Sequence, residues 1–120
     1  MVKWFLTREQ VIAYLQFLKG IRELQERLLH VQISKGLEEM EICLLEEDKD
    51  FYTKALQNAN FVRAFFLRRN LKLTQEFIDK GKTKIRILEE EEKSLKSYVD
   101  FAIKGFLNYL ENSRAPHASE

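Results

Sequence analysis

The segment from Ile85 to Leu110 constrains the fold of this chain more than any other feature. Its apolar residues recur at alternating steps of three and four positions, and only Glu92 interrupts the series. This spacing places the side chains on one face of an α-helix, where a second helix can cover them. The predicted seam consists of Ile85, Leu88, Glu92, Leu95, Val99, Ala102, Phe106 and Tyr109. An all-α fold is therefore predicted, with the rest of the chain supplying neighbouring helices.

The composition agrees with long helices joined by few turns. The 120 residues include 4 Gly and 1 Pro, and Pro116 lies near the end of the chain. Hydrophobic residues make up 45% and charged residues 32%, which is typical of a folded protein rather than a disordered one. We predict a single helical-bundle domain over residues 1–112 and a flexible C-terminal tail over residues 113–120.

The first helix is predicted to begin just after Thr7. The hydroxyl of Thr7 and the side chain of Gln10 have the spacing of a capping box, and Leu6 and Val11 have the spacing of a hydrophobic staple. An apolar seam follows, again in steps of three and four. It contains Tyr14, Phe17, Ile21, Leu24, Leu28 and Val31. The residues before it, Trp4 to Leu6, are expected to fold back over the end of the bundle or to remain as a sticky terminus.

The apolar face changes near Gly36. The next apolar set occupies a different face of the helix from the preceding seam, and it consists of Ile33, Leu37, Met40 and Leu44. Glycine within a helical pattern is tolerated but weakens it, and it is one of the known causes of a kink. We therefore predict that the first helix is kinked or split near Gly36.

Two further boundaries are predicted from local composition. The acidic run from Glu46 to Asp50 favours a new helix start, with Asp48 or Asp50 as its cap. Around Gly81, the segment from Asp79 to Thr83 favours a sharp turn, with Thr83 capping the last helix, which ends near Asn112. The seam predicted between these boundaries contains Tyr52, Ala55, Ala59, Val62, Phe66, Leu73 and Phe77. The expected fold is an elongated antiparallel bundle of three long helices, or four if the split near Gly36 is complete.

No pattern of reactive side chains indicates catalysis. His30 and Glu26 are one helical turn apart, but a protein metal site needs about four ligands. Cys43 has no evident basic partner to activate it, and the acidic runs have the spacing of solvated helix faces. The sequence also lacks a glycine-rich phosphate loop and a Ser-His-Asp set. We therefore expect no enzyme activity, no metal and no cofactor.

An aromatic and basic stripe is the best candidate site for binding a partner. Phe61, Phe65, Arg68 and Lys72 follow helical spacing, and Arg69 adds a further cation. If exposed, the two rings can stack on nucleic-acid bases while the cations meet phosphates. Alternatively, the rings can anchor a partner helix within a polar rim. A third interpretation is that both rings pack against the first helix.

Charge is distributed unevenly along the chain. The segment from Glu38 to Asp50 has 7 acidic residues and one Lys, whereas the segment from Arg63 to Arg86 has 8 basic and 2 acidic residues. These two blocks are expected to neutralise each other within one chain or across a dimer. The net charge of +1 implies no overall attraction to nucleic acid or to a membrane surface.

These features favour a non-enzymatic helical module for protein–protein interaction or assembly, such as an adaptor, a complex subunit or a chaperone-like protein. Self-association, as a dimer of coiled-coil type, is expected. Nucleic-acid binding through the segment from Phe61 to Arg86 is the alternative function. The longest uncharged run, from Gln10 to Leu18, is too short to span a bilayer, so no membrane association is expected. A cytoplasmic location is predicted, in agreement with a single cysteine.

Overall fold

The computed structural model describes residues 7–118, with side chains described for residues 7–112, and it contains two long helices. Helix α1 spans Arg8–Leu56 and helix α2 spans Phe61–Ala118. Residues 7–118 include no β-strand. The all-α prediction is therefore confirmed, and the prediction of a bundle of three or four helices is wrong. The described chain has one interhelical connection, at residues 57–60.

The predicted capping box at the start of α1 is confirmed. The amide of Gln10 donates to Thr7 Oγ1 at 3.2 Å, and the amide of Thr7 donates to Gln10 Oε1 at 3.0 Å. The carbonyl of Thr7 accepts from the amide of Val11 at 3.0 Å, which begins the helical hydrogen-bond series. The predicted staple partner Leu6 and the segment from Trp4 lie outside the described residues.

The connection between the helices depends on Asn60. Its side-chain Oδ1 accepts from the amide of Arg63 at 2.9 Å, and its carbonyl accepts from the amide of Ala64 at 2.8 Å. Asn60 is therefore the N-cap of α2, because it satisfies an amide that has no partner within the helix. At the preceding helix end, the carbonyl of Lys54 accepts from the amide of Gln57 at 3.3 Å.

The predicted kink or split near Gly36 does not divide the first helix. Gly36 lies within α1, and a Cβ built on it would meet no atom within 4 Å beyond its chain neighbours and the local helix backbone. A helix-interior glycine costs about 1 kcal/mol relative to alanine, which packing against a second helix readily offsets. The change of apolar face near Gly36 therefore has a cause other than a division of the helix.

The predicted helix boundary at Glu46–Asp50 is also wrong. This acidic run lies inside α1, and neither Asp48 nor Asp50 caps a helix. The hydroxyl of Thr53 donates to the carbonyl of Lys49 at 2.8 Å, within the continuous helix. Residues 46–50 are all exposed, and Leu45 before them is half-buried. The run is a solvated helix face, on which carboxylates cost little.

The predicted turn at Asp79–Thr83 is wrong for a different reason. Gly81 lies inside α2 and is buried, and no glycine in the described chain has a positive φ. A Cβ at this position would lie 2.9 Å from Cγ1 and 3.0 Å from Cδ1 of Ile42. The glycine therefore serves a close approach between helices rather than a turn. Thr83 does not cap a helix, because its hydroxyl donates to the carbonyl of Asp79 at 3.1 Å.

The chain packs as two compact units. One unit comprises Val31–Glu91, which contains the interhelical connection and the adjoining halves of both helices. We call it the turn unit. The other unit comprises the residues up to His30 together with those from Glu92 onward. We call it the terminal unit.

In the turn unit the helices are antiparallel and meet along one seam. Ion pairs join Lys35 Nζ to Glu89 Oε1 at 3.6 Å and Lys84 Nζ to Glu38 Oε1 at 3.4 Å. Steps of three and four, as in a coiled coil, connect the buried and half-buried seam positions, except for one step of seven between Leu45 and Tyr52, where Lys49 is exposed. In α1 these are Val31, Lys35, Glu38, Ile42, Leu45, Tyr52 and Leu56. In α2 they are Ala64, Leu67, Leu71, Thr74, Ile78, Gly81, Ile85 and Leu88.

In the terminal unit aromatic rings join the two helices. Phe17 of α1 stacks on Phe106 of α2, with ring centroids 4.3 Å apart and an interplanar angle of 5°. Tyr14 approaches the same ring at 5.8 Å, although it is 43% exposed. Leu95 is buried in this unit, and Val99 and Ala102 are half-buried. The first and last predicted seams are therefore confirmed apart from Tyr14 and Tyr109, which are exposed.

The middle predicted seam is wrong beyond Ala59. Val62, Phe66, Leu73 and Phe77 are all exposed, and the seam of α2 instead alternates small side chains, such as Ala64 and Thr74, with Leu67 and Ile78. Helix α2 continues to Ala118, beyond the predicted end at Asn112. The predicted single domain over 1–112 and the flexibility of residues 113–120 stay predictions.

Candidate protein-interaction surfaces

Large apolar side chains are left uncovered over much of the described chain. Within residues 7–112, 23 large hydrophobic residues are exposed, and only 6 hydrophobic residues are buried. A single exposed leucine needs no explanation, but many arranged on one face indicate a surface that another molecule covers. Their arrangement on the two helices is therefore informative.

The position of a residue relative to the seam determines which side of the turn unit it occupies. Successive helical residues are rotated by about 100°, so the residue before a seam position and the residue after it lie on opposite flanks of the helix. In an antiparallel helix pair, the preceding residues of both helices lie on the same side of the pair. The turn unit therefore has two sides that differ in composition.

One side of the turn unit is apolar. Seven exposed large hydrophobic residues each come directly before a seam position. We call this set the apolar side. It comprises Leu37, Leu44 and Phe51 from α1 and Phe66, Leu73, Phe77 and Ile87 from α2, and their exposed fractions lie between 42% and 65%. Three of the seven are phenylalanines, which contribute large contact areas at interfaces.

Two grooves show that these flanks of α1 and α2 share one side. One groove is lined by Glu41 of α1 together with Phe77 and Lys80 of α2. The second is lined by Ser34 of α1 together with Lys84 and Ile87 of α2. Leu37 lies one helical turn from both Ser34 and Glu41, and Leu44 lies one turn beyond Glu41, so the α1 leucines extend along the same flank. The apolar side is thus continuous across both helices.

The opposite side of the turn unit is mostly polar. Residues that follow seam positions include Glu39, Cys43 and Glu46 in α1 and Gln75, Asp79 and Lys82 in α2, and all but Gln75 are exposed. Gln75 Nε2 donates to Asp79 Oδ1 at 2.9 Å along this flank. We call it the polar side. The contrast with the apolar side is a property of the seam register and is not visible in the overall composition.

The five predicted partner-binding residues are all exposed near the start of α2. Phe61 is 87% exposed and Phe65 is 60% exposed, so neither ring is packed against α1 as the third interpretation required. Arg68, Arg69 and Lys72 are exposed as well. Phe65, Arg68 and Lys72 each follow a seam residue, which places them on the polar side, and Arg69 points further from the seam. The structure thus brings three of the five to one flank.

The two charged blocks are adjacent in the turn unit, but few of their charges pair. Among the described residues, Glu38 and Lys84 form the one ion pair between the acidic block and the basic block. On the apolar side of α1, Glu41 precedes the seam residue Ile42, and Asp48 lies one helical turn after Leu44. Lys80 and Lys84 occupy the same side on α2. The apolar side therefore has an acidic edge and a basic edge, and Lys80 Nζ also lies 5.8 Å from the Phe77 ring centroid.

The residues considered for chemistry lie apart on exposed faces. His30, Glu26 and Cys43 are exposed on α1. Within the described part of the chain, no group of three or more His, Cys, Asp or Glu side chains is placed to hold a metal ion. None of these side chains adds to the apolar side.

Sequence reasoning did not identify the apolar side as a candidate site. It assigned Phe66, Leu73 and Phe77 to a seam, and it attributed the displaced set containing Leu37 and Leu44 to a kink. The available clue was that bulky residues in both segments recur at spacings of seven, a period that fits a second helix-packing surface.

In residues 7–118, neither helix has an apolar stretch of the length that crossing a bilayer requires. No protein-family model, no curated protein and no solved structure matches the chain.

Proposed function

We propose that this protein is a non-enzymatic helical module for protein–protein interaction and assembly that associates with itself, in the manner of an adaptor, a complex subunit or a chaperone-like protein. The supporting observation is the excess of exposed large hydrophobic side chains, 23 against 6 buried hydrophobic residues in the described chain. Burial of apolar surface is the main driving force of association, so a second protein surface stabilises this one.

The form of the exposed surface favours a helical partner. Leu37, Leu44 and Phe51 follow one another at intervals of seven residues along α1, which is the repeat by which one helix packs along another. Phenylalanines within such a surface and charged residues at its edges are characteristic of protein interfaces.

The proposal is tested by the solution mass of the protein. Light scattering across about a hundredfold dilution is expected to give a mass above the 14.3 kDa of one chain at high concentration, falling towards it on dilution. A mass of 14.3 kDa at every concentration would contradict self-association.

Nucleic-acid binding is a second candidate function, supported by the exposure of Phe61 and Phe65 beside Arg68 and Lys72. Exposed rings can stack on bases, and adjacent cations can replace the counterions of phosphates. If this function is correct, affinity for single-stranded nucleic acid falls steeply between about 50 and 200 mM salt.

A charge-reversal pair tests this second function. The double variant Arg68→Glu with Lys72→Glu is compared with Lys19→Glu and Arg22→Glu, which makes the same charge change on exposed positions of α1. Loss of binding in the first variant alone supports the aromatic and basic stripe. Equal binding by both variants, or no binding by the unmodified protein, eliminates it.

A further inference from the structure

We propose that the apolar side of the turn unit binds the apolar side of a second copy of this chain, with α1 of each copy lying over α2 of the other. The result is a four-helix bundle built from two hairpins. This inference rests on the proposed function, because it names the partner and the surface of the self-association. It excludes the residues of the aromatic and basic stripe from that contact.

The apolar side has the composition that such a contact requires. Its α1 members Leu37, Leu44 and Phe51 form one row, and Phe66, Leu73, Phe77 and Ile87 form a second row on α2. A partner that covers both rows must itself present two rows of apolar side chains. The same side of a second copy presents them, and a two-fold axis makes the contact self-complementary.

Charge determines which rows face each other. The α1 row runs beside Glu41 and Asp48, whereas the α2 row runs beside Lys80 and Lys84. If α1 of one copy lay over α1 of the other, acidic residues would oppose acidic residues and basic residues would oppose basic ones. Placing α1 over α2 instead opposes each acidic edge to a basic edge. Charge complementarity therefore selects the crossed arrangement.

The register within one hairpin agrees with this arrangement. Ile42 lies against the position of Gly81, and Glu38 pairs with Lys84, which fixes the residues that lie at one level along the two helices. A two-fold axis parallel to the helices preserves those levels between copies. By the same register, Leu44 of one copy is then level with the segment between Phe77 and Lys80 of the other.

The ends of the two rows meet in the same way. The register places Leu37 of one copy level with Ile87 of the other, and Phe51 level with Leu73. Each large apolar residue of α1 therefore meets an apolar counterpart in the second copy, and Glu41 lies level with the Lys80 to Lys84 segment. Such an interface has an apolar centre and a charged rim.

A matched pair of phenylalanine variants tests the surface. Phe77 is 55% exposed on the apolar side, and Phe65 is 60% exposed on the polar side of the same helix. Phe77→Glu places a carboxylate in the contact of both copies, so the dimer dissociation constant is expected to rise by roughly a hundredfold or more. Phe65→Glu is expected to leave it within about threefold of the unmodified protein, because the residue lies outside the contact.

Sedimentation equilibrium measures both dissociation constants, and circular dichroism at high concentration checks that each variant remains helical. An equal loss of association in both variants, or a loss in Phe65→Glu alone, overturns the assigned surface. As long as the unmodified protein self-associates, either of these two outcomes leaves the proposed function intact. A monomeric unmodified protein overturns both this inference and self-association.

Cysteine cross-linking tests the crossed arrangement even if Phe77→Glu fails to fold. In a Cys43→Ser background, copies that carry Leu44→Cys are mixed with copies that carry Phe77→Cys, so that every disulfide joins two chains. Mixed cross-links are expected to exceed Leu44→Cys self-cross-links by roughly tenfold, since disulfides require Cα atoms within about 7 Å. Dominant self-cross-links of Leu44→Cys place α1 over α1 and overturn the arrangement.

Discussion

Gly81 shows how one residue controls the distance between the helices of the turn unit. A Cβ at this position would lie 2.9 Å from Cγ1 of Ile42, which is too short for an undistorted carbon–carbon contact. A glycine in a helix costs about 1 kcal/mol relative to alanine, and the close packing offsets that cost. At Gly36 the equivalent position has no atom within 4 Å beyond its chain neighbours and the local helix backbone, so Gly36 makes no such contact.

The two glycines are therefore expected to respond oppositely to alanine. Gly36→Ala should raise the free energy of unfolding by about 1 kcal/mol through helix propensity alone. Gly81→Ala should lower it by about 1 kcal/mol, because Ile42 must shift inside a packed seam. Urea unfolding at one fixed protein concentration measures both. A gain in stability of the same size in both variants would contradict the close approach.

Asn60 is the second residue whose role is local and testable. Its Oδ1 accepts from the amide of Arg63 at 2.9 Å, so Asn60→Ala leaves that amide without its cap. The free energy of unfolding is expected to fall by about 1 kcal/mol. Asn58→Ala, two residues earlier in the connection, is the control and should change it by less than about 0.5 kcal/mol. Equal losses in the two variants would show that the cap contributes little.

At the scale of the helices, α1 carries two charged residues in the seam of the turn unit. Lys35 and Glu38 occupy seam positions and pair with Glu89 and Lys84 of α2. The Glu38 side chain is 15% exposed, whereas that of Lys84 is 69% exposed, so the lysine remains hydrated without its partner. The pair therefore adds little stability, and an apolar residue at position 38 gains burial.

Glu38→Leu is accordingly expected to raise the free energy of unfolding by about 1 kcal/mol. Glu39→Leu is the matched control, because residue 39 is exposed on the polar side, and it should change the free energy by less than about 0.5 kcal/mol. Chemical unfolding at fixed protein concentration provides the comparison. A loss of stability in Glu38→Leu would mean that the ion pair is a net contributor to the seam.

These charged seam positions explain why sequence reasoning misplaced the break in α1. The predicted seam reached Val31 correctly, but the next seam residues are Lys35 and Glu38, and the neighbouring apolar residue Leu37 lies on the exposed flank. Sequence reasoning assigned apolar residues to the core and therefore inferred a kink or a split near Gly36, whereas α1 is not split there. Whether an apolar row faces its own chain or a second surface depends on the seam register of both helices.

The same limit applies to α2. The seam around Leu95 and Phe106 was predictable because the apolar residues there all follow one face, and it was confirmed. Between Ala64 and Gly81 the seam alternates small residues with Leu67 and Ile78, while Phe66 and Phe77 are exposed. Size and hydrophobicity favoured the phenylalanines, but close helix approach favours small side chains. The cap at Asn60 had a recognisable sequence pattern, an asparagine before an apolar run, and was overlooked.

At the scale of the whole molecule, the two helices leave many large apolar residues of the described chain uncovered in each of the two units. Among residues 7–112, large hydrophobic side chains remain exposed on both helices, and in the turn unit seven of them share the apolar side. The sequence predicted surplus apolar flanks and self-association, but it placed the candidate site on Phe61 and Phe65. The structure assigns the more continuous apolar surface to the opposite flank of α2.

The dependence of thermal stability on protein concentration tests the central claim most directly, because a partner that binds only the folded chain raises its unfolding temperature. If a second copy covers the apolar surface, a hundredfold increase in concentration contributes about 2.7 kcal/mol per dimer. The unfolding midpoint is then expected to rise by roughly 5 °C. A midpoint that is the same at all concentrations, together with reversible unfolding, would contradict the claim.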